Sequence, residues 1–250
     1  MPSSPDLSTC AKLRAAADGP IERRGRDAEH AFDFIEQLER VSAFYESFLW
    51  ESPKAAKART YLTEERGLGE DVLRSFGVGF APSAWDSVLT RGQKAGFSVD
   101  ELLAAGLIQR SQKTPGSHYD RFRGRITFPV RDHRGRVVGF GARGMGADAK
   151  PKYLNSPETE LFHKGRELYG LYEARMALRR IERLLVVEGY MDVVALAQLG
   201  FPNAVATLGT ACTTDHVQKL FRFTDSVVFS FDGDAAGRRA ARKALDGAIP

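Results

Sequence analysis

The chain has 250 residues, 43% hydrophobic and 27% charged, the make-up of a globular protein with one large domain or two small ones. Strongly apolar runs such as Leu184–Val187 are far shorter than the roughly 20 residues that cross a bilayer core, and residues 1–10 lack the basic-then-apolar pattern of a secretory leader, so the sequence predicts a soluble cytoplasmic protein with no membrane partner. Two isolated cysteines, Cys10 and Cys212, exclude a disulfide framework and a cysteine zinc site, and a net charge of +4 leaves the choice of partner to how the charges are spread.

Residues 1–28 hold Pro2, Pro5, Gly19, Pro20 and a basic stretch at 23–26 without apolar periodicity, which reads as a disordered tail or linker. Phe32, Ile35, Leu38, Val41, Tyr45, Phe48 and Leu49 then recur at three- and four-residue steps, the buried stripe of a helix. Ser52 as N-cap and Pro53 at the first helical position start a second helix that runs to about 66 and stops at Gly67. Ser98 with Glu101 forms a capping-box pattern for a short helix through Ala105, closed by Gly106, so the region to about 110 is expected to be mostly helical.

The period then changes. Ile126, Phe128 and Val130 alternate with polar residues, 136–142 is rich in strand formers, and 132–135 is a turn signal, which together predict an antiparallel hairpin. The prolines of 150–157 predict a loop. From 168 onward helices (168–183, 191–199, 215–223, 235–245) alternate with strands (184–187, 204–207, 227–231), the pattern of a parallel sheet covered on both faces. The expected class is α/β: an α+β N-terminal subdomain over 29–167, then a Rossmann-like parallel-sheet subdomain over 168–250.

Two acidic clusters sit where such a sheet binds ligands, outside the carboxyl ends of its strands: Glu188 after the run at 184–187, and Asp232-Gly233-Asp234 after 227–231. If those strands are neighbours, three carboxylates converge. Their mutual repulsion raises their pKa values unless a divalent cation offsets it, and a few hard oxygen ligands suit Mg²⁺ or Mn²⁺. Read alone, the Asp-Gly-Asp tripeptide is equally a turn before a capped helix. A calcium EF-hand fails, because Lys243 stands where its loop needs Glu.

Gly139-Phe140-Gly141-Ala142-Arg143-Gly144 fits the dinucleotide fingerprint, but no helix comes after it to receive a pyrophosphate. Its glycines are better read as room for a close approach or for a ligand beside Arg143. Residues 121–166 carry eleven Lys or Arg against four Asp or Glu, a net of +7 that attracts polyanions, the alternative being a solvated basic face. Arg121, Arg123 and Arg125 alternate, so an extended segment would put them on one face. Arg143, Lys152 and Lys164 come next, interleaved with Tyr153 and Phe162 as stacking candidates.

Glu188-Gly189-Tyr190-Met191-Asp192-Val193 and Phe231-Asp232-Gly233-Asp234-Ala235-Ala236-Gly237 resemble the two signature elements of the Toprim fold, shared by primases, topoisomerases and certain nucleases. Tyr119-Asp120-Arg121-Phe122-Arg123, Phe128-Pro129-Val130-Arg131-Asp132, the 135–141 stretch, the 151–159 loop and Phe162-His163-Lys164-Gly165 resemble the bacterial DnaG-type replicative primase family. Arg66-Gly67-Leu68 and Gly79-Phe80-Ala81-Pro82 fit its helical part, so the likeness spans about 30–250. The resemblance implies DNA-templated synthesis of short RNA primers by metal-dependent nucleotidyl transfer within the primosome. It implies Mg²⁺ or Mn²⁺ on Glu188, Asp232 and Asp234, with Glu188 either a ligand or a general base. Arg66, Arg121, Arg123, Arg125, Arg143, Lys152, Tyr153 and Lys164, with Asn155 in the same loop, would line the template groove or hold the incoming ribonucleoside triphosphate. Single-stranded DNA, ribonucleoside triphosphates and the RNA primer are the implied partners, at a nucleoid-associated site in the cytoplasm.

The family's zinc ribbon needs several cysteines where residues 1–30 offer Cys10 and His30, so zinc is not expected here. A further acidic element and a region that binds the replicative helicase are expected beyond Pro250. The other readings that these residues allow are a non-catalytic nucleic-acid or nucleotide-binding fragment, or a piece of another Toprim enzyme such as a nuclease or topoisomerase.

Overall fold

The structure is a computed structural model that describes residues 20–146, 149–209 and 212–246. Helix α1, Pro20–Glu51, takes in residues 20–28, which the sequence pattern assigns to a linker; residues 1–19 of that linker lie outside the described residues. Proline is tolerated in a first helical turn because its missing N–H has no partner there anyway, and the rest of α1 contains no proline to break it. The buried stripe falls on Phe34, Leu38, Tyr45 and Leu49, with Ile35, Val41 and Phe48 at its margin, while the side chain of Phe32 lies outside the described set.

The Ser52 hydroxyl accepts the Lys54 N–H at 3.3 Å, as an N-cap should. The helix it starts is not uniform. A 3-10 turn, Pro53–Ala55, leads into α2, Ala56–Thr60, which ends in a π turn, Tyr61–Glu65. In that turn the Arg66 N–H reaches back to the Tyr61 carbonyl at 3.0 Å, and Gly67 at φ +65° stops the helix. Three short helices come next: α3, Glu70–Ser75, α4, Ser87–Lys94, and α5, Val99–Ala104, the last with both bonds of the Ser98–Glu101 capping box.

The region to 110 is not purely helical. It includes strand β1, Gly79–Ala81, and strand β2, Ile108–Arg110, which pairs with β3, His118–Asp120. The expected hairpin forms as β4, Arg125–Arg131, and β5, Val137–Gly144. It is the middle of a four-stranded antiparallel sheet in the order β1-β4-β5-β6. Strand β6, Tyr153–Asn155, lies inside the segment expected to be a loop; Pro151 stands ahead of the paired residues, where a missing N–H costs the ladder nothing.

The C-terminal half alternates as expected. Helix α6 is shorter than 168–183, spanning Leu171–Ala177: Gly170 at φ +84° sets its start, and Leu178 is already extended. Then come β7, Leu184–Val187, α7, Tyr190–Gln198, β8, Ala204–Ala206, α8, Thr214–Phe221, β9, Val227–Phe229, and α9, Ala235–Asp246. The sheet runs β8-β7-β9, all parallel, so β7 is flanked on both sides. One hydrophobic core takes Leu62, Phe76, Phe128 and Phe162 from the first half and Tyr169, Tyr190, Val194 and Ala206 from the second. Among the described residues no helix is long and apolar enough to cross a membrane.

Candidate active site

Strands β7 and β9 pair in register, Val186 opposite Phe229, so their carboxyl ends lie side by side. The Ser230 N–H extends the pairing to the Val186 carbonyl at 2.9 Å, and beyond it the Glu188 carboxylate accepts the Asp232 backbone N–H at 2.9 Å. Glu188, Asp232 and Asp234 are all exposed. The Asp234 carboxylate accepts the Gly237 N–H at 2.7 Å and so caps the first turn of α9. Gly237 has a steric reason to be glycine: a Cβ there would overlap the Asp232 carbonyl oxygen and lie 2.9 Å from its carbon.

Asp192 joins this group, although sequence reasoning missed it. It stands in the first turn of α7, where its carboxylate accepts the Gly189 N–H at 3.1 Å. Burial raises its pKa; that N–H and the charge of Arg66 pull it down, and the charge of Asp232 pushes it up again. Arg66, Asp192, Asp232 and Glu188 thus share one electrostatic neighbourhood. A Gly followed three residues later by Asp at a helix start is the sequence signal that would have found Asp192.

The oxygen donors are chemically suited to a hard divalent cation, and their exposure leaves room for its waters. They are not gathered into a ready-made cage: among the described residues no three His, Cys, Asp or Glu side chains are placed to hold a metal ion together. Glu188 and Asp234 each spend an oxygen on a backbone N–H, so a shared cation requires these side chains to turn.

The basic residues form an interrupted rim. Arg121, Arg123 and Arg125 do not share the face of one strand: β3 ends at Asp120, β4 begins at Arg125, and Gly124 between them turns at φ +59°. Arg121 grips the Asn155 carbonyl through Nη2 at 2.7 Å and Nε at 3.1 Å, and Arg125 reaches the Lys152 carbonyl at 3.3 Å. Burial lowers the pKa of both, and Arg123 lowers that of Arg125 further by like-charge repulsion, a cost that a bound phosphate would relieve. Arg123 bonds the Asp120 carbonyl and lays its guanidinium 4.4 Å from the Trp85 ring centre and 4.6 Å from that of Tyr119. Trp85 is 64% exposed and escapes sequence reasoning, since a lone tryptophan between short elements has no periodicity to flag it.

Arg143 lies 4.4 Å over the ring of Tyr61 in the π turn and opposite exposed Tyr153 in the β5–β6 register; Lys152, next to Tyr153, is exposed as well. Asn155 works inside the protein: its amide oxygen accepts the Tyr190 hydroxyl at 2.7 Å and its nitrogen donates to the Leu208 carbonyl at 2.6 Å. Lys164 is on the 163–167 loop, where its backbone N–H donates to the Glu158 carboxylate at 3.2 Å. Phe162 is fully buried and so is no stacking platform for a base. The fingerprint-like glycines admit rings rather than a cofactor. A Cβ on Gly139 would come within 2.8 Å of Phe162, and one on Gly141 would overlap Tyr190.

A parallel sheet with acidic residues at two adjacent strand tips, joined to an antiparallel sheet with a basic rim, defines a catalytic core of the Toprim class. Residues 44–175 match the model described as the DNA primase catalytic core, N-terminal domain, and 182–249 match the Toprim domain. The chain belongs to the DnaG-type bacterial DNA primase family. It is 48% identical over 242 residues to the DNA primase of Pseudomonas aeruginosa, covering 95% of this chain and 36% of that protein. It is 51% identical over 237 residues to that of Escherichia coli K12, covering 94% and 39%. The chain therefore spans little more than a third of the length of these relatives. Among solved structures, a DnaG primase catalytic domain bound to single-stranded DNA superposes with a TM-score of 0.81 at 50% identity, over 89% of this chain and 68% of the other. The E. coli primase catalytic core gives 0.79 at 51% identity, over 86% and 67%.

Proposed function

We propose that this chain carries the centre that polymerises ribonucleotides into short primers on a single-stranded DNA template. The observation that supports it most is the pairing of β7 with β9, which sets Glu188 against Asp232 at the open end of the sheet. In this reading the 3′-hydroxyl of one ribonucleotide attacks the α-phosphate of the next and pyrophosphate leaves. Asp232 and Asp234, with Glu188 as a further ligand or as general base, would hold Mg²⁺ or Mn²⁺, and the ion would supply Lewis-acid stabilisation of the attacking hydroxyl and of charge on the phosphoryl oxygens. The chain's own residues supply the placement. Arg143 presents positive charge to the triphosphate from over the Tyr61 ring. Arg66, Arg121, Arg123, Arg125 and Lys152 track the template backbone, with Trp85 and Tyr153 as exposed stacking surfaces. Asn155 keeps Arg121 and Tyr190 in place from within the protein, and Lys164 adds a further cation. Base pairing chooses the incoming nucleotide, so little base readout is asked of the protein. Such a reaction belongs in the cytoplasm, on nucleoid DNA.

The test is primer synthesis on single-stranded DNA with ribonucleotides and Mg²⁺ or Mn²⁺, together with oligonucleotide binding. Asp232→Ala is expected to lose product and Mn²⁺ binding while still holding DNA. Undiminished product would remove Asp232 from the centre. DNA binding without product in the unsubstituted chain would favour a non-catalytic binding role, the reading to which the ungathered carboxylates lend some weight.

A further inference from the structure

Helix α7 carries Asp192 in its first turn and Gln198 at its last residue. Gln198 uses both ends of its amide on a segment about 130 positions earlier in the chain. Its oxygen accepts the Gly69 N–H at 2.6 Å, and its nitrogen donates to the Gly67 carbonyl at 2.8 Å. The segment between is tied down from the other side as well: the Arg66 N–H bonds the Tyr61 carbonyl and the Leu68 N–H the Leu62 carbonyl, each at 3.0 Å. Leu68 itself is buried in the shared core. A loop of four residues that includes Gly67 at φ +65° and Gly69 would otherwise have considerable backbone freedom. The clamp removes that freedom at the place from which the exposed Arg66 side chain departs.

We propose that Gln198 is a positioning residue: its two-ended amide fixes the 66–69 loop to α7, so that the same helix sets the distance between the Arg66 guanidinium and the acidic strand tips. This rests on the role given to Arg66 above. Gln198 touches neither substrate nor metal, and it acts through backbone that Arg66 shares.

The experiment compares the unsubstituted chain, Gln198→Met, Arg66→Ala and the double variant, using a fluorescent single-stranded oligonucleotide titrated at several salt concentrations. Methionine keeps the side chain's length and removes both bonds. Gln198→Met is expected to speed amide exchange at Gly69 and to weaken binding about three- to tenfold, the scale of the one hydrogen-bonded contact that a displaced Arg66 gives up. Its log K against log salt slope should fall by about 0.7, the value of one phosphate contact on a single strand. A substitution that merely loosened the fold would not subtract one contact. Arg66→Ala should show the same slope change, and the double variant should bind no worse than Arg66→Ala. Additive losses, or an unchanged slope in Gln198→Met, overturn the clamp. Arg66→Ala binding like the unsubstituted chain overturns the Arg66 assignment itself, which is a different result. If Gln198→Met does not fold, Gln198→Glu serves, because it keeps the Gly69 contact, loses the one to Gly67, and should move binding in the same direction.

Discussion

Gly141→Ala adds one methyl group at the seam between the two sheets. The new Cβ would overlap Cζ and Oη of Tyr190 and stand 2.5 Å from Cε2. The ring cannot simply move aside. It is stacked on Phe128 with centroids 5.1 Å apart and planes 9° from parallel, Tyr169 meets it edge-on at 4.9 Å, and its hydroxyl is bonded to Asn155 at 2.7 Å. Overpacking of this kind costs roughly 1–3 kcal/mol, and losing the hydroxyl bond adds about 1. Alanine's lower backbone entropy returns about 0.5–1, which leaves a net destabilisation of about 1–3 kcal/mol. For a chain of this length that is a fall in Tm of roughly 2–12 °C. Thermal and urea unfolding of Gly141→Ala measure it, with Gly165→Ala as the comparison, since a Cβ there meets only Thr213 at an ordinary 3.7 Å. If Gly141→Ala melts with or above the unsubstituted chain, the argument that this glycine exists to admit the Tyr190 ring is wrong.

Tyr190→Phe keeps the stack and removes the bond to Asn155, and urea unfolding should show a loss of about 1 kcal/mol. Trp85→Ala removes an exposed ring that holds the Arg123 guanidinium, and fluorescence anisotropy should show single-stranded oligonucleotide affinity falling at least fivefold, since stacking one base is worth about 1–3 kcal/mol. Arg121→Ala should weaken the same binding and flatten its salt dependence; salt-independent binding by the unsubstituted chain would refute the basic-rim reading. Burial lifts the Asp120 carboxyl from 3.8 to about 6, outweighing the Val88 and Leu89 N–H groups that lower it. Between those values the native chain holds a proton that the unfolded chain releases, so this contribution is full below about pH 4 and is lost as pH rises to about 6. Asp120→Asn should flatten the stability profile over that window in urea melts; an unchanged profile would assign the slope elsewhere.

The parts of the fold that are legible in the sequence are those whose signal lies within one element. The run at 184–187 is β7 at the same bounds, and the Ser98–Glu101 pair is a complete capping box. The acidic strand tips come from the α/β alternation, because parallel sheets put loops of one kind at one end. Strands β1, β2, β3 and β6 are not legible: each is three residues long and, unlike β8 and β9, none falls in a regular strand–helix alternation, so only their pairing partners mark them as strands. The arginine alternation misleads because alternation implies one face only within a continuous strand, and Gly124 breaks it. The position of Asn155 in a basic loop points to a ligand contact, whereas its amide is spent on Tyr190 and Leu208, distant in sequence. Gln198 is invisible for the same reason: its partners lie 129 and 131 residues away.

The aromatic cluster has a mechanical corollary. Phe76 and Phe128 come from one side of the matched-region boundary, Tyr190 comes from the other, and Tyr169 touches all three. A cut made between residues 175 and 182, where the two matched regions part, would therefore tear a common core in two and leave each piece with a greasy open wound. Calorimetry of the intact chain should accordingly record one cooperative melt, and anything that loosens the helical half should be felt at the acidic tips as a change in their spacing.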